Sequence, residues 1–304
     1  MNEKLINEKT RKIYHEQHKR VAENQIAMDR FMSMIEPDYF GVDRNFFSNK
    51  KLLDAGCGDT AKLSIKFTYL GAKVTGVDLG EDFIPIAKES AKKQGLAEDK
   101  IKFQSANVIS LPFEDEEFDF VCCHGVLLHL ANYEQIESAF SELARVTRKG
   151  GHLYTVFGVE GGLLEDHIIP AARDYYSVNK EFRTLIDNIS PSNFKDLFQM
   201  IKKTSEENGI SFDIDEITLQ KMFDLDFCVM LQNLLQAPVR LKVSKSDILG
   251  YYDKNKFQTP KRLRRFVKRQ NIRKYTAPMH YIHDSPISKI IYGSGNLEFI
   301  AQKL

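Results

Sequence analysis

Cysteine is scarce in this sequence, and its spacing argues against two roles. The four cysteines are Cys57, Cys122, Cys123 and Cys228. They are too few and too irregularly spaced for a disulfide scaffold, and they lack the paired spacing of a structural zinc site. We therefore expect reduced thiols, no bound metal and a cytoplasmic location.

Excess charge and long hydrophobic runs are also missing. The sequence has 43 Lys and Arg against 42 Asp and Glu, so its mean electrostatic field gives no reason to expect nucleic acid as a partner. The longest apolar run, Phe118 to Leu130, contains an aspartate and two histidines and is too short for a transmembrane helix. The first twenty residues are charged throughout and have no apolar core of the kind a secretory signal requires. No membrane partner and no export are expected.

The composition that remains, 42% hydrophobic and 28% charged, is that of a globular protein able to bury a core. From Lys51 onward, short apolar runs such as KLLDAGCG, KVTGVDLG and FDFVCCHG alternate with helix-like stretches. This alternation predicts an α/β fold with a doubly wound, mostly parallel sheet. The final run, NLEFIAQKL, alternates in the manner of an antiparallel edge strand, which would bring the sheet to seven strands.

Changes of pattern along the chain predict four regions. They are an N-terminal helical segment or lid (1–50), a core (51–158), a helical insertion after the fifth strand (159–260), and a last helix with two strands that complete the sheet (261–304).

The strongest local signal is an apolar strand that runs directly into a glycine-containing turn, Leu52 to Thr60. Glycine permits positive φ angles and leaves room for a ligand beside the backbone. A nicotinamide or flavin dehydrogenase is the competing interpretation, because such enzymes seat a pyrophosphate on a similar turn. The acid at Asp54 would repel a pyrophosphate, whereas it suits a ligand that carries an ammonium group.

These residues resemble the first motif of the class I, Rossmann-like S-adenosylmethionine-dependent methyltransferases, in particular the small-molecule branch. Asp54, Gly56 and Gly58 match that motif, while Thr60 stands where the family has its third glycine. The resemblance implies S-adenosylmethionine as methyl donor, bound by these residues.

Two further motifs follow at family spacing. Asp78 ends a buried-looking strand and would accept hydrogen bonds from both ribose hydroxyls, and Leu79 would pack on the adenine. Asn107 stands where the family often has Asp, and its carbonyl can still accept from the adenine amino group. The resemblance places Val108 and His124 beside the donor as well, although His124 could equally be structural.

Three side chains are candidates for catalysis. His129 is the first candidate for a general base because its intrinsic pKa lies near neutrality. Tyr14 and His18 lie four residues apart on a predicted helix and would share one face, free to cover the site. The competing interpretations are a His129 that stabilises its loop and a Tyr14–His18 pair that simply lies on the surface.

The stretch from Lys261 to Arg269 is strongly basic and raises a rival function. We interpret it as a helix whose apolar residues Leu263, Phe266 and Val267 dock on the core, leaving its charges solvated. The rival hypothesis is an RNA or other macromolecule methyltransferase that uses a basic helix over residues 261–274. A third possibility is a non-catalytic protein that keeps the fold as a donor sensor or partner subunit.

The leading hypothesis is therefore an enzyme that transfers a methyl group from S-adenosylmethionine to N, O or S of a small metabolite. The helical insertion and the N-terminal helices would form the acceptor pocket. The sequence leaves the acceptor, the attacked atom and the oligomeric state open.

Overall fold

The computed structural model describes residues 3–22, 24–158, 161–211, 215–263, 286–295 and 297–304. Within these ranges the centre of the fold is a seven-stranded sheet with the order β3-β2-β1-β4-β5-β7-β6. The strands are β1 (Lys51–Ala55), β2 (Lys73–Asp78), β3 (Ile101–Ser105), β4 (Phe118–Cys123), β5 (Thr147–Phe157), β6 (Lys261–Arg262) and β7 (Leu297–Gln302). Strands β1 to β5 are parallel, while β7 runs antiparallel to both β5 and β6. The prediction of a mostly parallel sheet with an antiparallel last strand is confirmed.

Helices precede the sheet, cross between its strands and cover it. They are α1 (Glu3–Ala22), α2 (Gln25–Met34), α3 (Lys62–Tyr69), α4 (Phe83–Lys93), α5 (Tyr133–Val146), α6 (Ile169–Val178), α7 (Lys180–Asp187), α8 (Pro191–Glu207), α9 (Glu216–Met222), α10 (Leu225–Gln236), α11 (Lys245–Lys254) and α12 (Pro286–Tyr292). The connections between parallel strands require such crossovers, because the chain must return to the same edge of the sheet before the next strand begins.

The hydrophobic core has two halves, one on each face of the sheet. Neighbouring residues of β4 divide between them: Cys123 joins the cluster under α5, and Cys122 joins the cluster under α3 and α4. This alternation follows from the two-residue period of a strand. Both thiols are buried and free, as expected for small core residues. Tyr252 of α11 is fully buried in the α5 half, so α11 packs on the sheet.

Helices α6 to α10 form the cap, which has a small core of its own. Ile186, Ile189 and Cys228 are its buried centre. The cap is tied to the N-terminal helix, because Gln17 of α1 donates to Gln236 at 3.0 Å and Arg20 donates to Gln232 at 2.8 Å. The predicted helical insertion and N-terminal helices therefore meet on one side of the sheet.

The interpretation of the basic stretch was wrong at its beginning. Lys261 and Arg262, expected to start a helix, instead form β6 and pair with Ile300 and Phe299 of β7. Backbone hydrogen bonding to an open sheet edge outweighs the helical spacing of the following apolar residues. Residues 264–285 lie outside the described residues, and with them the rest of the predicted basic helix and the strand expected over 271–282.

None of the helices in the described ranges has both the length and the apolar character needed to cross a membrane.

Candidate functional site

A cavity of about 850 Å³ opens at the carboxyl ends of the central strands. Its floor is formed by the segments that follow β1, β2, β3 and β4, and its roof by α1 and the cap helices α6 and α10. In open α/β sheets, ligands bind at this edge, where the strand order reverses between neighbouring strands. The volume lies in the upper part of the range for ligand sites, so a donor and a second molecule fit together.

The glycine turn after β1 is held against β2. Gly56 and Cys57 both donate their backbone N–H groups to the carbonyl of Val77, at 2.8 and 2.9 Å. Gly56 has φ +91° and Gly58 has φ +64°, angles that other residues rarely adopt. Both glycines line the cavity.

Gly56 also has no room for a side chain, since a Cβ there would lie 2.1 Å from Cγ2 of Val126. We expect Gly56→Ala to lower the free energy of unfolding by about 3 kcal/mol, from backbone strain and overpacking together. The matched control is Gly95→Ala, at φ +72° with no atom within 4 Å, which should cost about 1 kcal/mol from strain alone. Urea denaturation measures both, and equal losses would show that the contact with Val126 is unimportant.

Asp78 stands where β2 ends and lines the cavity. Its carboxylate accepts the N–H of Gly58 at 2.9 Å and the N–H of Gly80 at 3.1 Å. The side chain thereby fixes the glycine turn relative to the next loop. Leu79 follows it on the cavity wall and is 40% exposed.

Asn107, Val108 and His124 also line the cavity, on the segments after β3 and β4. The Asn107 side-chain oxygen accepts the N–H of Ile109 at 3.2 Å, which orients the amide. Nδ1 of His124 lies 3.2 Å from the hydroxyl of Tyr154, which in turn donates to Glu298. Their roles toward a donor remain predictions.

Asp54 and Thr60 are buried but do not border the cavity. Asp54 accepts the Ser64 hydroxyl at 2.6 Å through Oδ2, whereas its Oδ1 has no hydrogen-bond partner among the described residues. Burial is the main reason that the pKa of Asp54 is raised to about 7. The structure therefore places Asp54 behind the glycine turn, where it can act on a bound cation through its charge rather than by contact.

Tyr14 and His129, two of the three predicted catalytic residues, meet in the cavity wall although 115 positions separate them. Their Oη and Nε2 atoms are 2.5 Å apart. Nδ1 of His129 lies 2.9 Å from the carbonyl of Val239 and must donate to it, so Nε2 is the unprotonated nitrogen that accepts from Tyr14. The third residue, His18, lies on α1, and its side chain is outside the described part of the structure.

Burial determines the protonation of this pair. It is the largest cause of a lowered His129 pKa, about 4, and of a Tyr14 pKa raised above its ordinary value. At neutral pH the pair is thus an uncharged imidazole that accepts from an un-ionised phenol.

The lowered pKa of His129 predicts a pH-dependent stability. A histidine that resists protonation in the folded state contributes stability above its unfolded value of 6.5, and this contribution is lost as pH falls toward 4. The free energy of unfolding of the wild type should therefore fall by about 2 kcal/mol relative to that of His129→Gln between pH 7 and pH 4.5. The raised pKa of Asp54 has the opposite slope in both proteins and cancels in the difference. Parallel curves in urea melts would contradict the assignment.

Two contacts of α1 with the core were missed from the sequence. His15 Nδ1 lies 2.5 Å from Oδ2 of Asp59 in the glycine turn, and Arg11 pairs with Asp82 in the loop before α4. Asp59 lies inside the recognised motif, but nothing local marks His15 as its partner or Arg11 as the partner of Asp82.

The far end of the cavity is mostly apolar and is formed by the cap. Side chains that line it include Leu164, Ile168, Ile169, Met230, Leu231 and Leu234. Two charged residues, Glu165 and Arg240, interrupt this surface and form an ion pair at 3.4 Å. Neither was singled out from the sequence, since each lies in the insertion without a recognisable motif.

Within the described ranges, no group of three or more His, Cys, Asp or Glu side chains is arranged to hold a metal ion. His280 and His283 lie outside the described residues.

Comparison with known proteins identifies the domain. Residues 53–155 match the family model described as a methyltransferase domain. A sterol 24-C-methyltransferase of Gibberella zeae is 37% identical over 118 residues, 38% of this chain and 28% of that protein. A ubiquinone/menaquinone biosynthesis C-methyltransferase of Bartonella quintana is 30% identical over 154 residues, 47% of this chain and 58% of its own length. The chain therefore spans less than two thirds of either relative.

Among solved structures, a magnesium protoporphyrin IX methyltransferase of Synechocystis with bound S-adenosylhomocysteine aligns over both full chains. It has a TM-score of 0.54 at 14% identity, a likeness of fold. The expected resemblance is confirmed: this chain carries a methyltransferase domain with the Rossmann-like, class I fold.

Proposed function

We propose that this protein is an S-adenosylmethionine-dependent methyltransferase that acts on a small, largely apolar acceptor. The observation that carries the proposal is the division of one cavity into two sides. The glycine turn and Asp78 line the sheet side of the cavity, apolar residues of α6 and α10 line the cap side, and the Tyr14–His129 pair joins α1 to the segment after β4.

The sheet side fits the donor. Asp78 lines the cavity where β2 ends, and a carboxylate there suits ribose hydroxyls. Leu79 and Val108 offer apolar surface to a planar base. Gly56 lines the cavity, and its missing Cβ lets Val126, another lining residue, pack directly against the turn. Asp54, buried behind the glycine turn with a pKa of about 7, would be held in its ionised form by a nearby ammonium group and would attract that group in return.

When bound, the donor supplies an electrophilic methyl carbon on a sulfonium, and the electrons of the broken bond stay on sulfur. The protein's main task is to align the acceptor and exclude water, which the apolar cap serves. If the acceptor atom carries a proton, Oη of Tyr14 can receive it while Tyr14 passes its own proton to Nε2 of His129. The hydrogen bond from Nδ1 to Val239 holds the imidazole in the tautomer that this transfer requires.

The attacked atom can be nitrogen, oxygen or sulfur, as the sequence analysis expected, and relatives widen the choice. The Gibberella and Bartonella proteins are named as C-methyltransferases. A phenol ring would offer two of these atom types, since loss of its proton activates both its oxygen and its ring carbons.

The experiment is a turnover screen with purified protein and S-adenosylmethionine. Lipophilic phenols, hydroquinones, carboxylic acids, amines and thiols are offered, and S-adenosylhomocysteine and the methylated product are detected by mass spectrometry. Product formation from one class supports an enzyme and identifies the acceptor. Tight donor binding without turnover across the panel would favour the sensor interpretation, and no donor binding would refute the proposal.

A further inference from the structure

We propose that the acceptor end of the cavity binds a lipophilic monoanion, whose charged group is held by Arg240. This inference rests on the proposed function and adds to it the class of acceptor. It depends on the balance of charge and hydrogen bonding in the cap.

The guanidinium of Arg240 is largely shielded from solvent, yet most of its N–H groups have no hydrogen-bond acceptor among the described residues. Its side chain is 17% exposed and lines the cavity. Within the described part of the chain its one hydrogen bond goes to Glu165, at a long 3.4 Å. A guanidinium has further N–H groups in a planar fork that matches a carboxylate, and burying them without acceptors is costly.

Two arginines and two acids surround this part of the cavity, and one of the acids, Asp174, is exposed to solvent. Arg173 lies close enough to Arg240 for their charges to interact, and the pKa of Arg173 is lowered, first by burial and then by Arg240. Arg173 donates to the carbonyls of Leu234 and Ala237, at the end of α10. Those carbonyls are neutral, and the charge of Arg173 is offset by Asp174, which is exposed and does not line the cavity. Among the described residues, Glu165 is the one acid that pairs with Arg240.

The other neighbours do not change this balance. Tyr14 and His129 are both uncharged at neutral pH, and the two arginines act on both of them. Lys242 pairs with Asp166 at 2.7 Å, which is a neutral pair. A sulfonium donor would add positive charge to the same cavity, and Glu165 is the one acid that pairs with Arg240 there among the described residues, so an anionic group would complement Arg240 and the donor together.

The apolar side chains that line the cap side of the cavity indicate the chemical character of the acceptor beyond its charged group. Leu164, Ile168 and Leu231 lie on the cap side of the cavity with Glu165 and Arg240. Such a wall excludes a small, fully hydrated anion and fits a carboxylate or ionised phenol attached to a hydrocarbon body.

The test uses a matched pair of probes, 4-hexylbenzoate and 4-hexylbenzamide, which differ in charge but hardly in shape. Their binding to the purified protein is measured by calorimetry with saturating S-adenosylhomocysteine, so that no turnover occurs. We expect at least tenfold tighter binding of the benzoate, and a preference below threefold in Arg240→Gln. Arg148→Gln, a salt-bridged surface arginine, should keep the wild-type preference.

A second variant gives an opposite expectation and does not depend on Arg240→Gln folding. Glu165→Gln removes the competing charge but keeps an oxygen for Arg240, so benzoate should bind several-fold more tightly. Equal binding of the two probes by the wild type, preference for the amide, or no binding of either would overturn the proposal. Binding of S-adenosylhomocysteine alone is measured in the same preparation, so failure of the donor site is distinguished from failure of the anion subsite.

Discussion

Replacing Asp78 with alanine should weaken binding of S-adenosylmethionine by about 100-fold. The carboxylate is expected to accept two ribose hydroxyls, and hydrogen bonds to an ionised acceptor contribute roughly 1.5–3 kcal/mol each. The variant also loses the contacts that join Gly58 and Gly80 to this side chain. Calorimetric titration of the donor into the purified variant gives the change directly.

The control for this variant is Asp99→Ala, which removes a well-exposed aspartate before β3. It should bind the donor as the wild type does. A thermal melt of Asp78→Ala shows whether the fold survives. Wild-type affinity in a folded Asp78→Ala would remove this residue from the donor site and leave the glycine turn without its predicted partner.

Removing the hydroxyl of Tyr14 should lower kcat by about 10²- to 10³-fold for an acceptor that must lose a proton. General acid–base catalysis typically contributes rate factors of this order, and Tyr14→Phe keeps the ring while breaking the 2.5 Å contact with His129. Affinity for the donor should stay within threefold of wild type, because Tyr14 is not among the residues predicted to contact the donor. The rate is measured at saturating donor on the acceptor that the screen identifies.

Tyr69→Phe is the matched control, since it removes a tyrosine hydroxyl that bonds Gln94 on the exposed surface. The double variant Tyr14→Phe with His129→Gln should be little worse than either single variant, because two residues that act as one unit give non-additive losses. Additive losses would mean that the two side chains act separately. An unchanged kcat in Tyr14→Phe would show that Tyr14 does not receive the proton. His129 would then accept it directly, or the acceptor would react without losing a proton to the protein.

The sequence sufficed for the core of the fold because its signals are local. The strand that leads into Gly56 and the strand that ends at Asp78 are marked by apolar runs and by residues with special backbone requirements. The structure brings both segments to one cavity, since parallel strands present their carboxyl ends at the same edge.

The acceptor end could not be predicted in the same way. Arg240 and Glu165 are 75 positions apart, and their pairing depends on how the cap helices fold back on the sheet. Tyr14 and His129 were each predicted as candidates. Their contact depends on where α1 packs against the core, and no short sequence motif specifies that packing. Lys261 was misassigned for a related reason: a two-residue edge strand is specified by its partner β7 rather than by its own side chains.

Helix α1 touches three separate loops of the core, through His15 to Asp59, Arg11 to Asp82 and Tyr14 to His129. The first two contacts lie beside the donor end and the third beside the acceptor end. A ligand that holds α1 in place therefore reduces the conformational entropy that is lost when the second ligand binds. We expect the two substrates to bind with positive cooperativity, and linkage requires each to strengthen the other by the same factor.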